Sequence, residues 1–435
     1  MDIKTVTVIG STGTMGRNVA GIFASFGNAR VYMLARNANA ARRLIPEVVA
    51  SVRADSIANN LVPAGFSQLE ECVGKSDLVF ESVAENLQLK KQIAERVGAA
   101  LRDDAVSCSG TSGLSVTELA ECYPERLRGR FFGVHMFNPP YNLQLCEFCA
   151  TKYSDPAVGA ELKEYLSKQL IRSVVEVRDM PAFLGNRVGF RLINMAMQYS
   201  EQYSDYGGID YIDAVLGEFT GCAMPPLVTA DFVGLDVHKA IVDNLYANTS
   251  DYAHETFRLC DYANRLVDNG CYGKKTKAGL YKTIREDNGK KQRLVYDIDA
   301  DEYREIIPYE FPFAKKMRGH IKDGNYHQAI GVLIKNHSQE AQICLRFMVN
   351  HILYSLYSAS VVACNPSDID DVMARGFNWC PPLAMVSLFS QITDLRRLFV
   401  ENIDPSVLDK IDLDALLSQI TPSRYDYRSY FRAGR

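Results

Sequence analysis

Short apolar runs alternate with amphipathic stretches over residues 1–180, and this alternation predicts a parallel sheet with intervening helices. Thr5 to Ile9 is a β-branched run that predicts a first strand, and the pattern from Arg17 to Ser25 recurs at helical spacing. The same pattern predicts strands at Arg30 to Leu34, Asp77 to Val83, Ala105 to Cys108, Phe131 to Val134, Leu143 to Phe148 and Ser173 to Val177. Helices are predicted from Glu85 to about Leu101 and from Asp155 to Leu170. The alternation breaks at Arg178-Asp179-Met180-Pro181, which predicts a domain boundary. Helical patterns dominate beyond it, beginning with Asn186 to Tyr206. One hairpin interrupts them, Leu280 to Ile284 and Arg293 to Tyr296 around a polar loop with Asn288-Gly289.

The helical part repeats itself weakly. Ile212-Asp213-Ala214-Val215, followed by Pro225-Pro226-Leu227, recurs as Ile369-Asp370-Asp371-Val372, followed by Pro381-Pro382-Leu383, and each copy follows a long apolar helix. Shared order and spacing predict two related all-α domains, residues 181–300 and 301–435, after a sheet domain at 1–180.

Composition narrows the class. A chain of 435 residues is too long for one core, and 47% hydrophobic with 23% charged residues is ordinary for a globular protein. A net charge of -4 without a long basic run argues against nucleic acid as the main partner. No uncharged apolar run reaches the roughly 18 residues of a membrane span, and the first strand begins too early to leave room for a signal peptide. Eleven cysteines, an odd number, fit reduced thiols and a cytoplasmic setting better than a disulfide framework. Cys146 and Cys149 form a lone CxxC without a second ligand pair, so they read as small buried thiols and no metal is expected.

The candidate chemistry follows the strand ends. Gly10-Ser-Thr12-Gly13-Thr14-Met15-Gly16 lies between a strand and a helix, where glycines let the backbone approach a pyrophosphate and a helix N-terminus holds it. The predicted fold is therefore a Rossmann-type α/β domain with a nicotinamide dinucleotide, although the spacing GxxGxxG is one residue longer than GxGxxG. After the second strand stand Ala35-Arg36-Asn37 instead of the acid that would hold an adenosine ribose. An Arg at that point can pair with a 2′-phosphate, so NADP is slightly favoured over NAD. Glu85, Lys90, Ser112 and His135 also follow strand ends and could converge on one crevice. His135 ends one apolar run and Glu147 lies in the next, with Asn138-Pro139-Pro140 forcing a turn between them. A returning strand would put the carboxylate beside the imidazole, as a base and its orienting partner require.

Together these motifs resemble the L-3-hydroxyacyl-CoA dehydrogenase family, close to the dehydrogenase part of bacterial proteins fused to an enoyl-CoA hydratase. The residues that carry the resemblance are the Gly10 to Gly16 turn, Glu85-Asn86 with Lys90, Ser109-x-Thr111-Ser112, His135-x-x-Asn138-Pro139, Glu147 and Pro181-x-Phe183-x-x-Asn186-Arg187. Asp231-Phe-Val-Gly-Leu-Asp236 and Gly273-Lys-Lys-Thr276 with Gly279-Leu-Tyr281 look like signatures of its helical domain. The resemblance implies hydride transfer between C3 of a hydroxyacyl-CoA and a nicotinamide, as in fatty-acid β-oxidation. It implies His135 as general base with Glu147, Ser112 and Asn186 as hydrogen-bonding groups for the reacting oxygen or thioester carbonyl, and Glu85 and Lys90 near the nicotinamide ribose. The glycine spacing, the missing ribose acid and Gly110 in place of the usual Asn depart from the family pattern. Two alternatives compete: a dehydrogenase of small hydroxy acids of the gulonate or carnitine type, and a nucleotide-binding scaffold without turnover. Family members with one helical domain commonly pair as dimers through it. The repeat therefore predicts a monomer with an internal pseudo-dimer, in which Leu345, Met348, Ile352 and Leu356 are buried as residues 320–435 pack on residues 181–300; a homodimer is also compatible.

Overall fold

The computed structural model describes residues 1–285 and 289–434, so Asn288 of the expected hairpin loop lies outside the described residues. The chain divides into two compact units, Met1–Phe183 with Val362–Cys364, and Leu184–Val361 with Asn365–Arg435. The first division thus falls just beyond the break expected at Arg178 to Pro181.

The first unit is built on an eight-stranded sheet of β1 (Thr5–Ile9), β2 (Arg30–Ala35), β3 (Leu61–Gly65), β4 (Leu78–Glu81), β5 (Val106–Ser109), β6 (Phe131–Met136), β7 (Leu145–Cys149) and β8 (Ser173–Val177). Their order is β3-β2-β1-β4-β5-β6-β7-β8, and β1 to β6 are mutually parallel. Val6, Thr7, Val8 and Ile9 are fully buried, as a central strand covered on both faces requires. The helices α1 (Thr14–Ser25), α2 (Ala38–Val52), α3 (Leu69–Gly74), α4 (Leu87–Ala100), α5 (Val116–Ala120), α6 (Glu125–Arg128) and α7 (Pro156–Glu164) complete the unit. Two of these elements escape the sequence pattern for one reason. Pro46 interrupts the pattern of α2 and Pro63 that of β3, yet β3 is an edge strand, where a missing N–H costs no ladder bond. The helix expected from Asp155 is capped by that side chain, which accepts from the Ala157 N–H at 2.8 Å, and ends in a π-helical turn over Tyr165–Gln169.

The connection from β6 to β7 carries no helix, so β7 returns antiparallel to β6. That reversal sets the register that matters, with His135 opposite Glu147.

The second unit begins with α8 (Gly185–Gln202), α9 (Ile209–Val215), α10 (Pro226–Val233), α11 (Leu235–Asn248) and α12 (Asp261–Asp268). An antiparallel sheet of β9 (Tyr281–Arg285), β10 (Lys291–Asp297) and β11 (Glu302–Glu305) follows. The region is thus mostly helical but not all-α, and β11 corrects the expected simple hairpin. Glu302-Tyr-Arg-Glu305 has no apolar alternation to announce a strand. It is held by pairing with β10 and by Arg304, which donates to Asp210 at 2.8 Å and Asp297 at 3.0 Å. A division after residue 300 would cut between β10 and β11.

Helices α13 (Pro312–Lys322), α14 (Tyr326–Ile334), α15 (Gln339–Val362), α16 (Ile369–Gly376) and α17 (Pro382–Ser390) carry the second copy of the repeat. Its repeated acid does the same work twice. Asp213 accepts from Leu227 N–H at 2.9 Å and Val228 N–H at 3.2 Å at the start of α10, and Asp370 accepts from Leu383 N–H at 2.8 Å at the start of α17. The two copies also meet. Arg187 donates to the Tyr354 hydroxyl at 3.0 Å, Arg191 donates to the Asn350 carbonyl at 3.0 Å, and a Cβ on Gly189 would lie 2.3 Å from the Phe377 ring. Leu345, Met348, Ile352 and Leu356 are all buried.

Burial pushes the Asp213 carboxyl up to about 7 and that of Asp370 up to about 6, even though hydrogen bonds from Tyr281 and Leu227 in the first case, and Ser423 and Leu383 in the second, oppose the shift. The folded protein therefore holds these protons more tightly than the unfolded chain. This stabilisation is present below the ordinary carboxylate range and is lost as pH rises through 6 to 7. Asp213→Asn is expected to lower stability at every pH but to flatten the fall between pH 4 and 7, which urea midpoints measured across that window would reveal. An unchanged slope would show that Asp213 does not titrate there.

Candidate functional site

Three groups of residues gather at the carboxyl ends of the parallel strands of the first unit. Gly10, at the end of β1, has φ +84°, and a Cβ on it would sit 2.4 Å from the Ser82 carbonyl oxygen that follows β4. A Cβ on Gly16 would lie 2.3 Å from the Gly10 carbonyl oxygen, so this glycine lets α1 pack tightly against the turn. Gly13 differs: a Cβ on it would meet the Gly10 carbonyl oxygen at 3.4 Å, an ordinary contact, so close packing does not demand a glycine there. Gly13 is also the N-cap of α1 and offers no side-chain cap to the helix. Thr12, Gly13 and Thr14 are exposed and Met15 is half-buried. The turn is thus a cradle of backbone N–H groups with a positive helix end, which fits a dinucleotide pyrophosphate. Arg36 is exposed just beyond the end of β2, on the same side of the sheet.

The second group is a charged cluster. Lys90, with a side chain only 1% exposed, donates to both oxygens of Glu81 at 2.8 and 3.0 Å and lies 3.4 Å from Glu85. Glu85 in turn accepts from the Thr111 hydroxyl at 2.6 Å, the Ser112 N–H at 2.8 Å and the Ser112 hydroxyl at 3.2 Å. Burial raises the Glu85 carboxyl, but the Lys90 ammonium and the bonds from Thr111 and Ser112 outweigh it and hold the group below the ordinary carboxylate range. Glu85, Lys90 and Ser112, singled out from sequence, are therefore in one network. Glu81 was not singled out from sequence, and Ser109 only as the first residue of the Ser109-x-Thr111-Ser112 motif, not as a partner of Glu81. Register partners on β4 and β5, they are joined by a 2.6 Å hydrogen bond, and the only hint in the sequence is an acid closing the apolar strand Leu78-Val-Phe-Glu81.

At the end of β6 the His135 Nδ1 lies 2.8 Å from Glu147 Oε2, and the carboxylate is fully buried. The ring centroid of His135 is 4.6 Å from that of Phe137 and 6.0 Å from that of Phe183. Phe183 and Ala182 both have positive φ, +48° and +57°, a cost of about 1 kcal/mol or more each. The strain is held by Gly113, on which a Cβ would come within 2.4 Å of Ala182. The loop carrying Ser112 thus also seats the aromatic wall beside His135. The turn after β6 is tied to α1, since Asn18 donates to the Asn138 side chain at 3.1 Å and the Tyr141 hydroxyl donates to the Asn18 carbonyl at 2.9 Å. Asn186 is buried in the first turn of α8 and belongs to the second unit.

Other features settle as structure. Burial pushes the Cys146 thiol up to about 12 and that of Cys149 further, so neither is a ready nucleophile. Asp231 accepts from the Leu280 and Tyr281 N–H groups at 2.7 and 2.8 Å, and a Cβ on Gly279 would lie 2.2 Å from it. The Asp231 and Gly273 to Tyr281 motifs therefore form a clasp that closes the loop before β9. Among the described residues no helix is long and apolar enough to cross a membrane, and no group of three His, Cys, Asp or Glu side chains is placed to hold a metal.

Residues 5–180 match the family model "3-hydroxyacyl-CoA dehydrogenase, NAD binding domain", and residues 183–283 match "3-hydroxyacyl-CoA dehydrogenase, C-terminal domain". A 3-hydroxybutyryl-CoA dehydrogenase of Bradyrhizobium diazoefficiens is 31% identical over 293 residues, which are 64% of this chain and 95% of that protein. The human peroxisomal bifunctional enzyme is 27% identical across 98% of this chain and 58% of its own. The crystal structure of a 3-hydroxybutyryl-CoA dehydrogenase from Escherichia coli shares the fold, with a TM-score of 0.69 at 20% identity, over 97% of this chain and 98% of that one. The chain spans about half the length of the first curated relatives it matches.

Proposed function

Because the chain belongs to the 3-hydroxyacyl-CoA dehydrogenase family, we propose that it transfers a hydride between a nicotinamide dinucleotide and C3 of a 3-hydroxyacyl-CoA or 3-ketoacyl-CoA. The observation that carries this reading is the 2.8 Å contact between His135 Nδ1 and the buried Glu147 carboxylate, at the strand ends that also hold the glycine turn and the Glu85 cluster. With Nδ1–H donated to Glu147, the other ring nitrogen, Nε2, is left to accept a proton from a substrate hydroxyl. In the reverse direction protonated His135 returns that proton to the developing alkoxide, and Glu147 stabilises the imidazolium. Phe137 and Phe183 flank the ring and keep bulk water from it. Ser112, positioned by Glu85, and Asn186 are the proposed hydrogen-bonding groups for the reacting oxygen or the thioester carbonyl. The backbone from Gly10 to Gly16 would hold the pyrophosphate of the dinucleotide, with Glu85 and Lys90 on the side of its nicotinamide ribose. When bound, the nicotinamide supplies the hydride acceptor or donor.

The test is acetoacetyl-CoA with NADH or NADPH, followed by loss of nicotinamide absorbance. Turnover supports the reading; binding of nucleotide without any turnover would favour a scaffold instead.

The exposed guanidinium of Arg36, where an acid would face a ribose, favours NADP in this proposal. A charge-assisted contact of about 1.5 to 3 kcal/mol predicts a preference for NADPH of roughly tenfold or more in kcat/KM. Ala35→Asp with Arg36→Leu should move the preference to NADH. If the wild type prefers NADH and the double change has no effect, Arg36 is a solvated surface residue.

A further inference from the structure

Glu81 is a buried acid that the proposed proton transfers do not use. Its side chain is 9% exposed and its oxygens accept from Val83 N–H at 2.6 Å, Ser109 Oγ at 2.6 Å and Lys90 Nζ at 2.8 and 3.0 Å. Lys90 reaches past it to Glu85, whose side chain is 38% exposed and so presents the cluster to the crevice. Two carboxylates share one ammonium, which leaves the cluster with a single net negative charge. The cluster adjoins the glycine turn, since the residue after Glu81, Ser82, supplies the carbonyl that crowds Gly10. A structural role for Glu81 would require only that Lys90 be neutralised, and Glu85 already lies within ion-pair distance of it. The second acid makes the cluster negative where one acid would have left it neutral.

We propose that Glu81 is a positioning residue that, through Lys90, sets the charge of the nicotinamide site so that it favours the oxidised, cationic ring over the neutral reduced one. The inference rests on the dinucleotide reading above. Oxidised and reduced dinucleotides share adenine, ribose and phosphate contacts, and differ at the ring by one charge. Contacts common to both cancel in the ratio of their dissociation constants, and the charge of the surroundings does not. A full charge within a Debye length of the ring changes that ratio by roughly tenfold.

The experiment measures dissociation constants of the full chain for NAD and NADH, and for NADP and NADPH, by calorimetry. In Glu81→Gln the cluster becomes neutral, and the ratio of oxidised to reduced dissociation constants is expected to rise roughly tenfold. In Lys90→Met the cluster gains negative charge, and the ratio is expected to fall. In the double variant Glu85 alone remains charged, and the ratio is expected to return to within about twofold of wild type. Single variants that leave the ratio unchanged while weakening both forms equally, or that shift it in the same direction, would overturn the proposal and leave Glu81 a structural acid. If Glu81→Gln does not fold, the direction of the Lys90→Met shift decides the matter alone. A wild type that binds none of the four nucleotides would instead overturn the dinucleotide reading, a result distinct from an unshifted ratio.

Discussion

Replacing His135 by Gln, or Glu147 by Gln, is expected to lower kcat by about two to four orders of magnitude while leaving nucleotide binding nearly intact. The two residues face each other across β6 and β7 and share one hydrogen bond of 2.8 Å, so they act as a unit. Gln at 135 offers no titratable nitrogen. Gln at 147 keeps an acceptor but loses the charge that stabilises the imidazolium, and its amide can turn the ring to the wrong tautomer. Members of a unit are not additive, so the double variant should cost little more than the worse single one. Single-turnover kinetics with acetoacetyl-CoA, and nucleotide titration of each variant, would check both halves of the expectation. Losses that multiply in full would show that the two side chains act independently.

Ending the chain after Asp301 is expected to give aggregates or a new dimer in place of soluble monomer. The cut removes β11 and the part of the second repeat that packs on α8, taking with it the Tyr354 hydroxyl that receives Arg187, the Asn350 carbonyl that receives Arg191, and the Phe377 ring seated on Gly189. Val188, Leu192 and Met195 on α8 are buried in the full chain. Exposing a few such side chains costs about 1.5 to 3 kcal/mol each, against a total stability of about 5 to 15 kcal/mol for a domain. Arg187 would also be left in an opened pocket with Asp251 as its remaining partner. We propose that the tether lets the intact chain do without a second copy for this surface. A covalently joined partner acts at an effective concentration in the millimolar range, above that of any free subunit. Light scattering of the truncated protein and dye binding to exposed apolar surface would report the outcome. A truncated form that stays monomeric and fully active would show that the second repeat is an independent appendage.

What the sequence determined by itself is local or follows from chain connectivity. The turn from Gly10 to Gly16 is legible because glycines and a change of hydrophobic period mark it within a few residues. The His135 and Glu147 pairing is legible for a related reason: a connection too short for a crossover helix must return antiparallel, and an antiparallel neighbour places facing residues side by side. The repeated acids at Asp213 and Asp370 could be seen as an order of residues, but not as caps, because the N–H groups they accept lie a helix away. Tertiary structure alone decided the rest. Prolines that speak against a helix and a strand are tolerated in α2 and in edge strand β3, and β11 exists only because β10 supplies its hydrogen bonds. The Glu81 cluster is the sharpest case. Its members come from β4, α4 and the end of β5, and nothing along the chain says that an acid closing an apolar strand will meet a lysine from the next helix. Only the parallel register that sets Glu81 beside Ser109, and the packing that takes Lys90 out of water, turn three separated residues into one charged group.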